Sequence, residues 1–133
     1  MSSVSEQKKQ TVLVVEDDPA LRKLVRGYLS FMGFSIVEVA DGRSAMAKLG
    51  EQVPDLVCLD LMLPESSGYD VCEFMRKTET LKHVPVLMMS ARTLPEDRAY
   101  AEEVGVNAYL TKPFSRAEFT QHVRDVLAER RQT

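Results

Sequence analysis

Five short apolar runs, each followed by a segment with helical periodicity, set the strongest limit on how this chain can fold. The runs are rich in aliphatic and β-branched residues and are bounded by turn-forming residues, as is typical of buried strands. They lie at Thr11–Val15, Phe34–Val39, Asp55–Leu59, Pro85–Met89 and Ala108–Leu110. Strands that alternate with helices predict a parallel sheet covered on both faces. Right-handed crossovers then favour strand order 2-1-3-4-5, so we predict a flavodoxin-like α/β fold, a (βα)5 three-layer sandwich.

Local signals place the helices between these strands. Asp18-Pro19 has the form of an N-cap followed by proline at the first helical position, and Gly33 has the form of a stop. Ser115 and Glu118 form a capping box, flanked by Phe114 and Phe119 as a hydrophobic staple. The other predicted helices open at Asp41-Gly42 and stop at Gly50, run from Tyr69 to about Lys77, and run from Pro95 to Val104. The apolar faces of the first and last helices are predicted at Leu21, Leu24, Val25, Tyr28 and Leu29, and at Phe119, Val123, Val126 and Leu127.

The composition predicts one globular domain. A chain of 133 residues can bury a core, and a hydrophobic fraction of 44% is ordinary. A net charge of −3 with mixed signs gives no footprint for direct nucleic-acid binding, and no apolar run approaches the roughly 20 residues of a membrane span. The polar N-terminus lacks an apolar signal core, so we expect a cytoplasmic protein in which Cys58 and Cys72 are buried, reduced thiols. We predict a flexible tail over residues 1–10, the domain over residues 11–129 and a frayed tail over residues 130–133.

Acidic residues end the first and third apolar runs. Glu16-Asp17-Asp18 follows the first run, and Asp60 ends the third. In the predicted order these two strands are neighbours, so Glu16, Asp17 and Asp60 converge at the sheet edge where α/β folds bind ligands. Clustered carboxylates repel one another, and a hard divalent cation removes that conflict. Oxygen donors without a nearby His or Cys fit Mg²⁺ better than zinc, and a solvated acidic loop is the alternative.

A hydroxyl and an ammonium group end the last two strands. Ser90 follows the fourth run and Lys112 follows the fifth. Taken singly, Ser90 is typical of a turn and Lys112 of an exposed surface. Combined with the carboxylates, they complete the set that phosphoryl transfer onto an aspartate requires, namely a nucleophile, a cation and a counter-charge.

With these residues the chain resembles the receiver domains of two-component response regulators. The resemblance rests on Val14–Asp17, Leu59-Asp60 with Pro64 and Gly68 after it, Ser90-Ala91, and Tyr109–Phe114, and it covers residues 11 to about 128. It implies that Asp60 is the phosphoacceptor and that Mg²⁺, with Mn²⁺ as an alternative ion, is held by Glu16, Asp17, Asp60 and the backbone carbonyl of Met62. It also implies phosphoryl-binding and switch roles for Ser90, Lys112 and Tyr109, and a cis Lys112-Pro113 bond. Asp18 falls one place beyond the acidic pair, and we assign it to helix capping.

The resemblance implies a phosphorelay signalling domain rather than an enzyme, with self-phosphorylation from small phosphodonors and autodephosphorylation as its only chemistry. The expected partners are a sensor histidine kinase or phosphotransfer protein and a downstream protein that reads the surface of helix four, strand five and helix five. We expect a stand-alone regulator; the alternatives are a receiver fragment of a larger multidomain regulator and a pseudo-receiver that binds partners without phosphorylation. Met62 stands where an aspartyl phosphohydrolase commonly has its general acid, and Glu16–Asp18 would repel a flavin phosphate, so both of those classes are disfavoured.

Overall fold

Five parallel strands form the central sheet of the molecule. The structure, a computed structural model, describes residues 9–132, with side chains as far as residue 129. The strands of the central sheet are β1 (Thr11–Val15), β2 (Ser35–Val39), β3 (Leu56–Asp60), β6 (Val86–Ser90) and β7 (Ala108–Thr111). Two short strands, β4 (Met62–Leu63) and β5 (Ser66–Ser67), lie outside it. The central sheet has the order β2-β1-β3-β6-β7, and every pairing in it is parallel. The predicted flavodoxin-like order 2-1-3-4-5 is confirmed, with β6 and β7 as the fourth and fifth strands of the domain.

Helices cover both faces of this sheet. They are α1 (Pro19–Phe31), α2 (Gly42–Glu51), α3 (Gly68–Lys77), α4 (Pro95–Val104) and α5 (Arg116–Gln132). One core cluster lies between the sheet and α2, α3 and α4, and the other lies between the sheet and α1 and α5. The side chains of β3 and β6 are buried throughout, because these central strands are covered on both faces.

The predicted helix ends are confirmed where a side chain or a backbone conformation marks them. Asp18 caps α1 by accepting a hydrogen bond from the backbone N–H of Ala20 at 3.0 Å. Ser115 and Glu118 make both hydrogen bonds of the capping box, and the Phe114 and Phe119 rings stack with centroids 5.6 Å apart. The predicted buried stripe of α5 is also confirmed, since its four residues are at most 7% exposed.

Two details of the helices were predicted wrongly. Gly50 does not stop α2, which continues to Glu51 with Gln52 as its C-cap, because Gly50 lacks the positive φ that ends a helix at Gly33 and Gly105. Leu24 lies on the predicted apolar face of α1 but is 45% exposed, whereas Val25 and Leu29 are fully buried.

A small antiparallel hairpin follows the central strand. Its strands, β4 and β5, pair Met62 with Ser67 and Leu63 with Ser66. Glu65 in the turn adopts a φ of 60°, a left-handed conformation that only a few per cent of non-glycine residues adopt. Along the chain, the hairpin connects the end of β3 at Asp60 to the start of α3 at Gly68.

The predicted tails extend beyond what the structure describes. Residues 1–8 of the predicted N-terminal tail and Thr133 lie outside the described residues. The backbone of α5 is helical to Gln132, three residues past the predicted domain end, and fraying of residues 130–133 stays a prediction. Cys58 and Cys72 are free and buried, and burial raises the pKa of both thiols. Within residues 9–132, none of the helices has both the length and the apolar character needed to cross a membrane.

Candidate functional site

Three carboxylates meet at the carboxyl ends of β1 and β3. These strands pair in register from Val12 with Leu56 to Val15 with Leu59, so the residues that follow Val15 lie beside Asp60. One carboxylate oxygen from each of Glu16, Asp17 and Asp60 lies within 4.8 Å of the other two. Glu16 and Asp60 are buried, at 1% and 4% exposure, while Asp17 is exposed. The sequence prediction that these residues converge is confirmed.

Lys112 supplies the counter-charge from β7. Its Nζ lies 3.0 Å from Glu16 Oε1 and 3.2 Å from Asp60 Oδ2. Its backbone N–H donates to the carbonyl of Ser90 at 2.7 Å, which fixes the end of β7 against β6. The Lys112-Pro113 bond that follows is cis, as the resemblance implied. The ammonium group therefore contacts two carboxylates directly, and a surface role for Lys112 is wrong.

Backbone donors hold the two buried carboxylates in place. Asp60 Oδ1 accepts from the N–H of Met62 at 3.1 Å, and Glu16 Oε2 accepts from the N–H of Asp18 at 3.1 Å. Each carboxylate thus has one oxygen on a backbone N–H and the other on Lys112. This arrangement fixes the orientation of both carboxylates.

The pKa of Glu16 lies well above the ordinary value of a glutamate. Burial raises the pKa of Glu16 from 4.5 to about 7, and the neighbouring Asp60 adds to that increase. The hydrogen bonds from Asp18 and Lys112 act in the opposite direction but do not cancel it. At Lys112, burial opposes the charge, yet the hydrogen bonds and attraction from Glu16 and Asp60 outweigh burial and raise its pKa. One ammonium group among three carboxylates leaves an excess of negative charge at the site.

This donor set fits a hard divalent cation. All three side chains offer oxygen, and among the described residues no His or Cys belongs to the cluster. Mg²⁺ is commonly bound through a few carboxylates and retains several waters, which suits a site with one exposed and two buried carboxylates. Asp18 is not in the cluster because its side chain caps α1, as predicted. The Met62 side chain is 64% exposed, and its carbonyl as a fourth donor stays a prediction.

Ser90 and Tyr109 are linked through the backbone of one residue, Arg92. Ser90 is fully buried, and its Oγ accepts from the N–H of Arg92 at 3.0 Å. The Tyr109 hydroxyl donates to the carbonyl of Arg92 at 3.1 Å, and the ring is 9% exposed. Sequence reasoning missed this link, because one partner in each hydrogen bond is a backbone atom of Arg92, and no residue type marks a backbone atom.

The residue at the N-terminus of α3 also belongs to the site. The N–H of Gly68 donates to the carbonyl of Leu61 at 2.8 Å, and a Cβ added at Gly68 would overlap the backbone carbonyl of Asp60. The close approach of two backbone segments thus requires glycine here. The sequence motif includes Gly68, but the need for glycine at this position becomes visible only from the close backbone approach.

A buried aspartate, an acidic cluster and a lysine at the carboxyl edge of a doubly wound sheet define a class of cation-dependent phosphoryl-accepting domains. The family model described as "Response regulator receiver domain" matches residues 12–124. The chain therefore belongs to the response regulator receiver domain family, whose members act as signalling domains of two-component systems and bind Mg²⁺ at an acidic site.

Curated relatives and solved structures agree with this assignment. The chain is 39% identical over 116 residues to the phosphate regulon transcriptional regulatory protein PhoB of Escherichia coli, covering 87% of this chain and 51% of that protein. It is 37% identical over 116 residues to the DNA-binding dual master transcriptional regulator RpaA of Synechocystis sp., covering 87% of this chain and 48% of RpaA. The chain thus spans about half the length of the curated relatives it matches.

Two solved structures match along nearly their whole length. The chemotaxis response regulator CheY4 of Vibrio cholerae aligns with a TM-score of 0.85 and 28% identity, covering 90% of this chain and 99% of CheY4. The receiver domain of the sensor histidine kinase PA1611 from Pseudomonas aeruginosa PAO1 aligns with a TM-score of 0.83 and 31% identity, covering 91% of this chain and 99% of that domain. That second structure has a magnesium ion coordinated in the active site cleft.

Proposed function

We propose that this chain is a phosphoacceptor in a two-component phosphorelay and that Asp60 receives the phosphoryl group from a phosphohistidine. The observation that carries the proposal is the position of Asp60, whose Oδ2 lies 3.2 Å from Lys112 Nζ while Glu16 and Asp17 offer oxygens within 4.8 Å. A carboxylate oxygen of Asp60 attacks the phosphorus, the P–N bond to the donor imidazole breaks, and a P–O bond forms. The donor is a histidine kinase or a phosphotransfer protein.

The residues of the site divide this work between binding and charge compensation. Glu16, Asp17, Asp60 and the carbonyl of Met62 would hold Mg²⁺, which when bound offsets negative charge on the transferred phosphoryl oxygens. Lys112 is already in contact with Asp60 and compensates the remaining oxygen charge as the phosphoryl group arrives. Met62 donates its N–H to Asp60 Oδ1 and so orients the carboxylate.

The proposed readout begins at Ser90. A phosphoryl group on Asp60 offers new acceptors to the Ser90 hydroxyl, whose oxygen now accepts from the N–H of Arg92. Because the carbonyl of Arg92 also accepts from Tyr109, a shift of this segment changes the surface formed by α4, β7 and α5. A downstream protein reads that surface.

Two forms of such a regulator have support. A stand-alone regulator is supported by CheY4, of which the chain covers 99%. The receiver module of a longer regulator is supported by PhoB and RpaA, of which it covers about half. Immunoblotting of the native protein against the 133-residue chain as a size standard separates the two forms.

Phosphorylation with a small donor tests the proposed function. Purified protein incubated with Mg²⁺ and acetyl phosphate is expected to gain one phosphoryl group by intact mass, and hydroxylamine is expected to remove it. The variant Asp60→Asn is the control and is expected to gain none. An unmodified wild-type protein, both with acetyl phosphate and after screening against histidine kinases, would indicate a pseudo-receiver. Steady turnover of a phosphoester would instead indicate a phosphohydrolase.

A further inference from the structure

A groove lies beside the proposed phosphoacceptor site, between the β4–β5 hairpin and the first half of α4. Its volume is about 320 Å³, and its walls include Met62, Tyr69, Arg92, Asp97 and Tyr100. None of Glu16, Asp17 or Lys112 lines it. The groove is therefore separate from the acidic cluster, and no residue of β7 or α5 lines it.

A buried carboxylate in this groove has a free oxygen. Asp97 is 8% exposed, and its Oδ1 accepts from Arg92 Nε at 2.9 Å. Asp97 Oδ2 is buried and has no hydrogen-bond partner. Among the side chains described, Ser66 Oγ is the other buried polar atom without a partner, and Ser66 lines the same groove. Because buried polar atoms in proteins are nearly always hydrogen-bonded, the free oxygen of Asp97 indicates a donor that comes from outside the chain, whereas Ser66 Oγ lies against Gly42 at the start of α2.

The same groove has an exposed apolar and aromatic rim. Met62 is 64% exposed and Tyr100 is 45% exposed, and both line the groove. The Tyr69 and Tyr100 rings pack edge to face, with centroids 4.7 Å apart. Aromatic faces and an exposed thioether favour the alkyl stem and the cationic head of a basic side chain.

The charge around the groove is negative. Helix α4 carries four acidic residues, Glu96, Asp97, Glu102 and Glu103, and one basic residue, Arg98, which gives a net charge of −3. Glu65 occupies the turn of the β4–β5 hairpin, whose strands contribute to the other side of the groove. Arg92 is the one cation lining the groove beside Asp97, and the ion pair with Asp97 offsets its charge. A positively charged occupant therefore finds a favourable field.

We propose that this groove is a docking site for an arginine side chain of a partner protein, presented between apolar residues. A guanidinium group offers five donors in a plane, so it can donate to Asp97 Oδ2 while its face contacts Tyr100. The flanking apolar residues contact Met62. This site accepts its ligand in the unphosphorylated protein, so it does not depend on the phosphoacceptor role of Asp60.

Amide chemical shifts of the ¹⁵N-labelled full chain, without phosphodonor, test the proposal. The probe is the blocked tripeptide acetyl-Leu-Arg-Leu-amide, and the matched control replaces arginine with citrulline, which has the same shape without the charge. Shifts are expected in residues 61–69 and 92–100, with an affinity at least about fivefold higher for the arginine peptide at low salt. Added salt is expected to reduce this difference.

Three variants separate docking at Asp97 from general attraction to α4. Asp97→Asn is expected to abolish the preference for arginine over citrulline, whereas Glu103→Gln, which removes one α4 charge outside the groove, is expected to keep it. Tyr100→Ala, at an exposed position, is expected to weaken both peptides, and the spectra themselves report whether each variant is folded. Equal binding of the two peptides, shifts outside the groove, or an unchanged preference in Asp97→Asn would overturn the proposal. So would concentration-dependent shifts without peptide, which would show that a second copy of the chain occupies the groove.

Discussion

The apparent affinity for Mg²⁺ is expected to increase about tenfold between pH 6 and pH 8. The reason is Glu16, whose pKa burial raises to about 7. A carboxylate must be ionised to bind the cation, and with this pKa the ionised fraction of Glu16 is roughly 0.1 at pH 6 and roughly 0.9 at pH 8. A carboxylate at its ordinary value of 4.5 would be ionised at both pH values and would give no such dependence.

Without divalent cations, the same pKa makes the folded protein less stable as the pH increases. The folded pKa of Glu16 lies above its unfolded value, so folding takes up a proton between pH 4.5 and about 7. The free energy of unfolding is thus expected to decrease across that window and to level off above it. The difference between the two pKa values corresponds to about 3 kcal/mol, and Mg²⁺ is expected to restore stability above pH 7.

Calorimetry measures both the affinity and the protons released. The chain contains no tryptophan, so titration calorimetry at pH 6, 7 and 8, in two buffers with different ionisation enthalpies, is the suitable method. At pH 7 about half a proton is expected to be released for each ion bound. Because Asp60 contributes to the raised pKa of Glu16, Asp60→Asn is expected to shift the proton release to lower pH.

The decisive control is Glu16→Gln, which removes the titrating group and keeps its size. This variant is expected to bind Mg²⁺ more weakly and to lose the pH dependence between pH 6 and 8. The reasoning is refuted by affinities that agree within a factor of about two at pH 6 and pH 8 in the wild type. It is equally refuted by an unchanged pH dependence in Glu16→Gln.

Three further predictions concern single side chains around the fold. Gly68→Ala is expected to lower the unfolding free energy by about 1–3 kcal/mol in urea titrations, because its Cβ would overlap the Asp60 carbonyl, whereas Gly27→Ala, with open space around it, is expected not to destabilise. Asp17→Asn is expected to weaken Mg²⁺ binding with little effect on thermal stability. Asp18→Ala is expected to lose about 1 kcal/mol of stability, because Asp18 is an N-cap, and to keep Mg²⁺ binding; the reverse pattern would contradict our assignment. Arg76→Met is expected to cost at least about 2 kcal/mol in thermal or chemical unfolding, since it removes the hydrogen bonds to the carbonyls of Gly105 and Val84, and a neutral result would show that these hydrogen bonds contribute nothing.

The parts of the fold that sequence reasoning predicted are those with short-range signals. Asp18-Pro19 and the Ser115–Glu118 box mark helix starts with their own side chains, and both are confirmed. The convergence of Glu16, Asp17 and Asp60 was also predictable, because the strand order follows from crossover handedness and then dictates which strand ends are neighbours.

The parts that were not predictable depend on long-range contacts or on small shifts along the chain. The β4–β5 hairpin is four residues of strand around Pro64-Glu65, too short for a periodic pattern. Leu24 fits the apolar period of α1, yet it is 45% exposed because tertiary packing, rather than period, decides how wide the buried face is. The pairing of Arg92 with Asp97 has no marker, since surface-type residues form it.

Helix α4 illustrates how such unmarked contacts bear on the proposed function, because its two ends are restrained very differently. Beyond its C-terminus, the half-buried guanidinium of Arg76 donates to the carbonyl of Gly105 through Nε at 3.0 Å and Nη2 at 2.8 Å. At the N-terminus, Leu94 provides no side-chain cap. Asp97 pairs with the 54% exposed Arg92, its N–H donates to the Leu94 carbonyl at 3.0 Å, and its own carbonyl accepts from Tyr69 at 3.3 Å. A charge change at Asp60, relayed through Ser90 and Arg92, would therefore act on the end of α4 that Arg92 contacts, while Arg76 keeps the far end in place.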